Sequence, residues 1–199
     1  MKTLVCHGDS LTAGGELDNS AIWPALVENK LKIKVINSGI GGDTTGGLLS
    51  RFYPEVLRHH PDAVLIMGGT NDLWWDLDIK MVLANIFTMT CQAEHHGITP
   101  LVGLPIPINA AKARTQDFAA PGGGYDSCAE KLAALAEALP RSARQNDIAY
   151  LDFYRPFCDK YGNAEGKYYL DDGLHPNEAG HRLMAKITVE MLEHRLGIA

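Results

Sequence analysis

The chain has 199 residues, 46% of them hydrophobic and 21% charged, which fits an ordinary globular protein with a sizeable core. Its formal net charge of -6 argues against nucleic-acid or anionic-membrane partners, since both select basic patches. The four cysteines, Cys6, Cys91, Cys128 and Cys158, lack CxxC spacing and are too scattered for a disulfide framework, so free, mostly buried thiols are expected. With a short apolar start and no transmembrane run, a cytoplasmic protein is expected.

An apolar run predicts a first strand over residues 2–6, ending in the turn Gly8-Asp9-Ser10. After a polar loop over 12–20, Asn19 or Ser20 is placed to cap a helix to Leu31, with Trp23, Leu26 and Val27 on its apolar side. A second strand over 33–37 leads into a glycine-rich loop. A helix from Thr44 or Thr45 through Leu57 then carries Leu48, Leu49, Phe52 and Val56. The run Ala63-Val64-Leu65-Ile66-Met67 is the third strand, with 68–72 as its exit loop. A helix over 78–95 places Met81, Val82, Asn85, Ile86 and Met89 at helical spacing, and Gly97 stops it. A fourth strand over 98–103, an irregular stretch over 105–125 and a helix over 127–143 follow. The fifth strand covers 148–152, and a final helix over 176–196 turns Ala179, Leu183, Met184, Ile187 and Met191 inward. This alternation predicts an α/β fold in one domain over 1–199: a three-layer α/β/α sandwich on a five-stranded parallel sheet of flavodoxin-like order 2-1-3-4-5.

Four stretches at predicted strand exits carry chemistry: Gly8-Asp9-Ser10-Leu11, Gly41-Gly42-Asp43-Thr44, Gly69-Thr70-Asn71-Asp72 and Asp171-Asp172-Gly173-Leu174-His175-Pro176. Ligands of open α/β sheets bind at that end of the strands. A serine hydroxyl becomes a nucleophile when a base takes its proton, and histidine is the usual base. Asp172 lies three residues before His175, with Gly173 between them. A tight turn there folds the carboxylate onto Nδ1 and leaves Nε2 for Ser10. Asp171 is one residue farther away and should point elsewhere. Pro176 suits the first position of the last helix, with His175 at its mouth.

In this order, over residues 4 to about 180, the four blocks resemble the SGNH hydrolases, also called the GDSL esterase/lipase family. The resemblance implies a serine esterase that hydrolyses carboxylic esters, thioesters or carbohydrate acetyl groups through an acyl-enzyme on Ser10. Asp172 and His175 would complete the triad. The resemblance also implies an oxyanion hole made of the Ser10 and Gly42 backbone N–H groups and the Asn71 side chain. It implies no cofactor, no metal and a small-molecule ester as partner. Trp23 before Pro24 matches a structural aromatic of the family. An acyltransferase using the same acyl-enzyme is the alternative within this chemistry.

Taken singly, each residue has an ordinary reading as a turn former, cap or loop hydrogen-bonder. A nucleotide-binding domain would need G-x-G-x-x-G, and Thr44 stands where its last glycine belongs. A non-catalytic binding module would be expected to have lost one member of the set, and none is missing. Asp9 and Asp43 are expected to hold their own loops, Asp43 also placed to cap the next helix, and His7 to be packed. His59, His60, His95, His96 and His194 are expected at the surface, and His181 in no metal site, for HExxH is absent. Of Trp74 and Trp75, one is expected to line the pocket and the other to pack. The 105–125 stretch is expected at the pocket rim.

Overall fold

The computed structural model of the protein describes residues 2–15 and 17–196; Glu16, in the expected polar loop, and the ends of the expected 1–199 domain lie outside them. Five strands form one parallel sheet in the order β2-β1-β3-β4-β5: β1 Thr3–Gly8, β2 Lys34–Gly39, β3 Ala63–Met67, β4 Thr99–Leu104 and β5 Ala149–Asp152. The expected order is therefore observed. In register, Gly8 of β1 sits between Gly39 of β2 and Met67 of β3, so three strand exits open side by side.

Alternation along the strands sends side chains to two cores. Val5, Val64, Ile66 and Val102 pack on one face against Leu48, Phe52, Val82, Ile86 and Leu135. Leu4, Cys6, Leu65, Met67 and Leu101 pack on the other against Trp23, Val27, Met184 and Leu192. The first face is covered by α3 Thr45–Ser50, α6 Ile79–His95 and α8 Gly124–Gln145, the second by α2 Trp23–Leu31 and α9 Glu178–Leu196. Short helices α1 Ser10–Ala13, α4 Phe52–Glu55, α5 Thr70–Trp74 and α7 Ala110–Ala113 complete the helical set.

Several boundaries differ from expectation for identifiable reasons. The helix expected from Thr44 to Leu57 breaks after Ser50. Pro54, within α4, has no N–H to give the Ser50 carbonyl, so the ladder cannot continue. The helix expected from Asn19 or Ser20 starts at Trp23, because Asp18 instead closes a turn onto the Ser20 N–H and hydroxyl. The last helix starts at Glu178, two residues after Pro176, with the Asn177 side chain accepting from the Ala179 and Gly180 N–H groups. Pro176 instead bridges to Tyr169 outside the helix. Its buried stripe includes His181, Thr188 and Leu192 beside Met184, while Leu183, Ile187 and Met191 are only half-buried. Met81 is 52% exposed, on the outer side of α6. Cys91 is also exposed, whereas Cys6 and Cys128 are buried and all four thiols are free. Burial pushes the Cys6 thiol far up and the Cys128 thiol up to about 11.

Candidate active site

The turn after β1 is shaped by Asp9. Its carboxylate is buried and accepts the Leu11 N–H at 2.9 Å, capping α1, so Ser10 becomes the first residue of a short helix. Burial drives the Asp9 carboxyl up to about 7 against that hydrogen bond.

His175 arrives from a different part of the chain. The turn between Leu170 and His175 closes with the Gly173 N–H on the Leu170 carbonyl at 3.2 Å and the Leu170 N–H on the His175 carbonyl at 2.9 Å. Gly173 takes φ +68°, and a Cβ there would lie 2.6 Å from the Asn109 carbonyl oxygen. Only glycine satisfies both the backbone angle and that approach. Within the turn, Oδ1 of Asp172 accepts the Leu174 and His175 N–H groups at 2.8 and 2.9 Å. Burial opposes ionisation of Asp172, but these bonds and the His175 ring outweigh it and hold the carboxyl below its usual range. An ionised carboxylate only accepts, so His175 Nδ1–H donates to Asp172 Oδ2 at 2.6 Å. Nε2 is then the acceptor for the Ser10 hydroxyl at 2.9 Å. Asp171 turns the other way: its side chain is fully exposed, 3.7 Å from Lys112 Nζ.

The exits of β2 and β3 close the other side. Gly42 has φ +78°, and the space a Cβ would enter is open. Asn71 Nδ2 donates to the Asp43 carbonyl at 2.8 Å and makes a long contact of 3.5 Å with Asp9 Oδ2. Asp72 is buried and accepts both the Thr45 N–H and hydroxyl, at 2.9 and 2.6 Å, which fixes the β3 exit to α3. Asp43 does not cap α3; Thr44 does, and the Asp43 carboxylate instead accepts Arg51 Nε at 2.7 Å.

Ser10, Gly42, Asn71 and His175 open onto one cavity of about 250 Å³. Leu11, Leu174, Trp74 and Trp75 supply its apolar wall. Both tryptophans line it, although they differ in support. Trp74 packs on Phe118 and Tyr125, and its carbonyl accepts the Gly122 N–H, whereas Trp75 is 68% exposed. The 105–125 stretch therefore braces the pocket wall from behind, through Phe118, Gly122 and Tyr125, rather than forming the rim.

His7 is fully buried, as expected for a packed residue. Its Nε2–H donates to the Leu48 carbonyl, leaving Nδ1 to accept the Ser38 hydroxyl. Burial, reinforced by the Arg51 charge, lowers it to about 4. His181 is buried too, its Nδ1 accepting the Trp23 N–H at 3.1 Å, and burial lowers it to about 4. The remaining named histidines, His59, His60, His95, His96 and His194, are exposed. Among the described residues no three His, Cys, Asp or Glu side chains gather as a metal-holding group. No described helix is long and apolar enough to cross a membrane.

Residues 6–183, which include all four blocks, match the GDSL-like lipase/acylhydrolase family. The chain belongs to that family. An arylesterase of Vibrio mimicus is 29% identical, the match covering 96% of this chain and 88% of the relative. The thioesterase 1/protease 1/lysophospholipase L1 of Escherichia coli K12 is 26% identical over 96% of this chain and 83% of its own length. Among solved structures, the lipase/acylhydrolase of Enterococcus faecalis superposes with a TM-score of 0.80 at 25% identity, covering 98% of this chain and 97% of that one. Family membership supports an esterase activity on small-molecule substrates.

Sequence reasoning passed over Arg51 and gave Asp72 no role. Arg51 did carry a signal. It stands three residues after the buried Leu48 and one before the buried Phe52, so a helical reading puts a cation on an inward face. Such a charge needs partners.

Proposed function

We propose that the protein is a serine ester hydrolase that works through an acyl-enzyme on Ser10. The observation that carries this reading is the continuous chain from Asp172 through His175 to Ser10, with bonds of 2.6 and 2.9 Å. His175 Nε2 takes the Ser10 proton as Oγ attacks the ester carbonyl carbon. Asp172 steadies the imidazolium without taking its proton. The negative oxygen of the tetrahedral intermediate is received by the Ser10 and Gly42 N–H groups and by Asn71 Nδ2. The Asp9 contact to Asn71 is long, at 3.5 Å, so a charged oxygen competes well for that N–H. As the intermediate collapses, the carbon–oxygen bond to the alcohol breaks and the His175 proton goes to the departing oxygen. Water then gives a proton to His175 as it attacks the acyl carbon; the bond from that carbon to Ser10 Oγ breaks, the His175 proton passes to Oγ, and the carboxylic acid departs. No step calls for a cofactor.

The cavity of about 250 Å³ with its tryptophan and leucine wall favours uncharged esters with a compact acyl group. The relatives named arylesterase and thioesterase support oxygen and sulfur esters as substrates here. Intact-mass measurement after treatment with an organophosphonate probe tests the nucleophile. One adduct is expected on the native protein and none on Ser10→Ala, whose hydrolysis of aryl esters should fall by about 10^5-fold or more. Labelling of Ser10→Ala at the native rate would falsify the assignment.

A further inference from the structure

The Arg51 guanidinium sits beneath the site and touches neither Ser10 nor the cavity wall. Its side chain is only 14% exposed. Nη2 donates to the Gly8 carbonyl at 2.9 Å, two residues before Ser10. Nη1 donates to the Ser38 carbonyl at 2.9 Å and the Ser38 hydroxyl at 2.8 Å. Nε donates to Asp43 Oδ2 at 2.7 Å. The loop that carries Gly42 is thus gripped on both sides, at Ser38 before it and at Asp43 after it. The Asp43 backbone carbonyl in turn holds Asn71 Nδ2. Each proposed oxyanion donor lies one or two bonded links from this one cation.

Arg51 is itself oriented from below. Leu48 fixes the His7 tautomer, and His7 Nδ1 accepts the Ser38 hydroxyl proton. The Ser38 oxygen lone pairs are left to face Arg51. A planar fork with donors in fixed directions can hold two backbone carbonyls and a carboxylate at once, which an ammonium group cannot copy.

We infer that Arg51 is a positioning residue that sets the spacing between the Ser10 turn, the Gly42 loop and Asn71, and so holds the oxyanion hole in shape for the transition state. This rests on the function proposed above. Donors pre-set for a developing charge act on the chemical step, while ground-state ester binding depends on the apolar wall.

The test uses Arg51→Ala and Arg51→Lys on a neutral aryl ester, with working sites counted by phosphonate titration. For Arg51→Ala, kcat per titrated site is expected to fall about 100-fold with KM little changed, as a displacement on the order of 1 Å would cause. Arg51→Lys should fall between the two, and methylguanidinium should restore part of kcat to Arg51→Ala. A purely structural role would instead lower the titrated fraction and the melting temperature and leave kcat per site intact. That result, or a loss confined to KM, overturns the inference. Should Arg51→Ala fail to fold, Arg51→Lys decides: native kcat per site rejects the role. Ser10→Ala and Asn71→Ala run alongside. If either keeps full kcat, the site reading falls and the inference with it. If both are slow and the Arg51 variants are not, the inference alone falls.

Discussion

Two regions meet at Ser10, and they are held by opposite means. The Asp172–His175 turn is local: carboxylate and imidazole stand three residues apart, their side chains 28% and 35% exposed, and one glycine turn sets their geometry. The proposed oxyanion side is assembled from three strand exits, and its main braces are long-range and buried or nearly so. Arg51 reaches Gly8 across 43 residues, and Asp72 reaches Thr45 across 27. A local pair needs little of the fold to be correct. A dispersed set needs the whole sheet register, because Gly8, Gly39 and Met67 must end level.

The sharpest way to break the comparison is at the local pair. Asp172→Asn removes the partner that fixes the His175 tautomer and should lower kcat by about 10^4-fold. Its neighbour Asp171 is fully exposed and bonded to neither His175 nor Ser10, so Asp171→Asn should stay within a few-fold of native by the same assay. Thermal melts of both confirm folding; an inactive, folded Asp171→Asn would reverse the assignment. On the dispersed side, Asn71→Ala should lower kcat at a cost of about 3 kcal/mol and leave KM nearly unchanged. A weakened KM at native kcat would make Asn71 a substrate-binding residue instead.

Smaller effects reach the scaffold behind both regions. His181 is neutral and buried, with its folded value lowered to about 4 from 6.5. Between those values the unfolded chain binds the proton and the folded chain does not. Its contribution is therefore fully present above about pH 6.5 and lost as pH falls toward 4, on the order of 2 kcal/mol. Asp9, raised to about 7, acts in the opposite direction: its penalty grows as pH rises from its ordinary value near 3.8 toward 7. Urea unfolding of native protein and His181→Gln at pH 7 and 4.5 separates the two, since Asp9 is common to both. The variant should lose less stability on acidification; equal losses would show that His181 does not titrate in this window.

What the sequence disclosed follows the same division. The Asp172–His175 contact was legible because it lies within one turn through Gly173, and the strand order was legible because strands and helices alternate. The inward placement of Arg51 was readable from helical spacing but its acceptors were not, since Gly8, Ser38 and Asp43 become neighbours only when β1 and β2 pair. The break at Pro54 could have been read from the missing N–H. The start of α9 could not, because Asn177 caps it while Pro176 is drawn aside to Tyr169. That both tryptophans line the wall also stayed hidden, since the packing of Trp74 depends on Phe118 and Tyr125, more than 40 residues later.

Ser10 and His175 are 165 positions apart. A ribosome makes the chain from the amino end, so every residue of the oxyanion side, through Asp72, is synthesised before the first atom of the base. A chain paused partway through translation holds Ser10, Gly42 and Asn71 but lacks His175, the proposed base. On the proposed mechanism, hydrolytic competence is therefore withheld until synthesis has passed His175, a timing written into where the four blocks fall along the polypeptide.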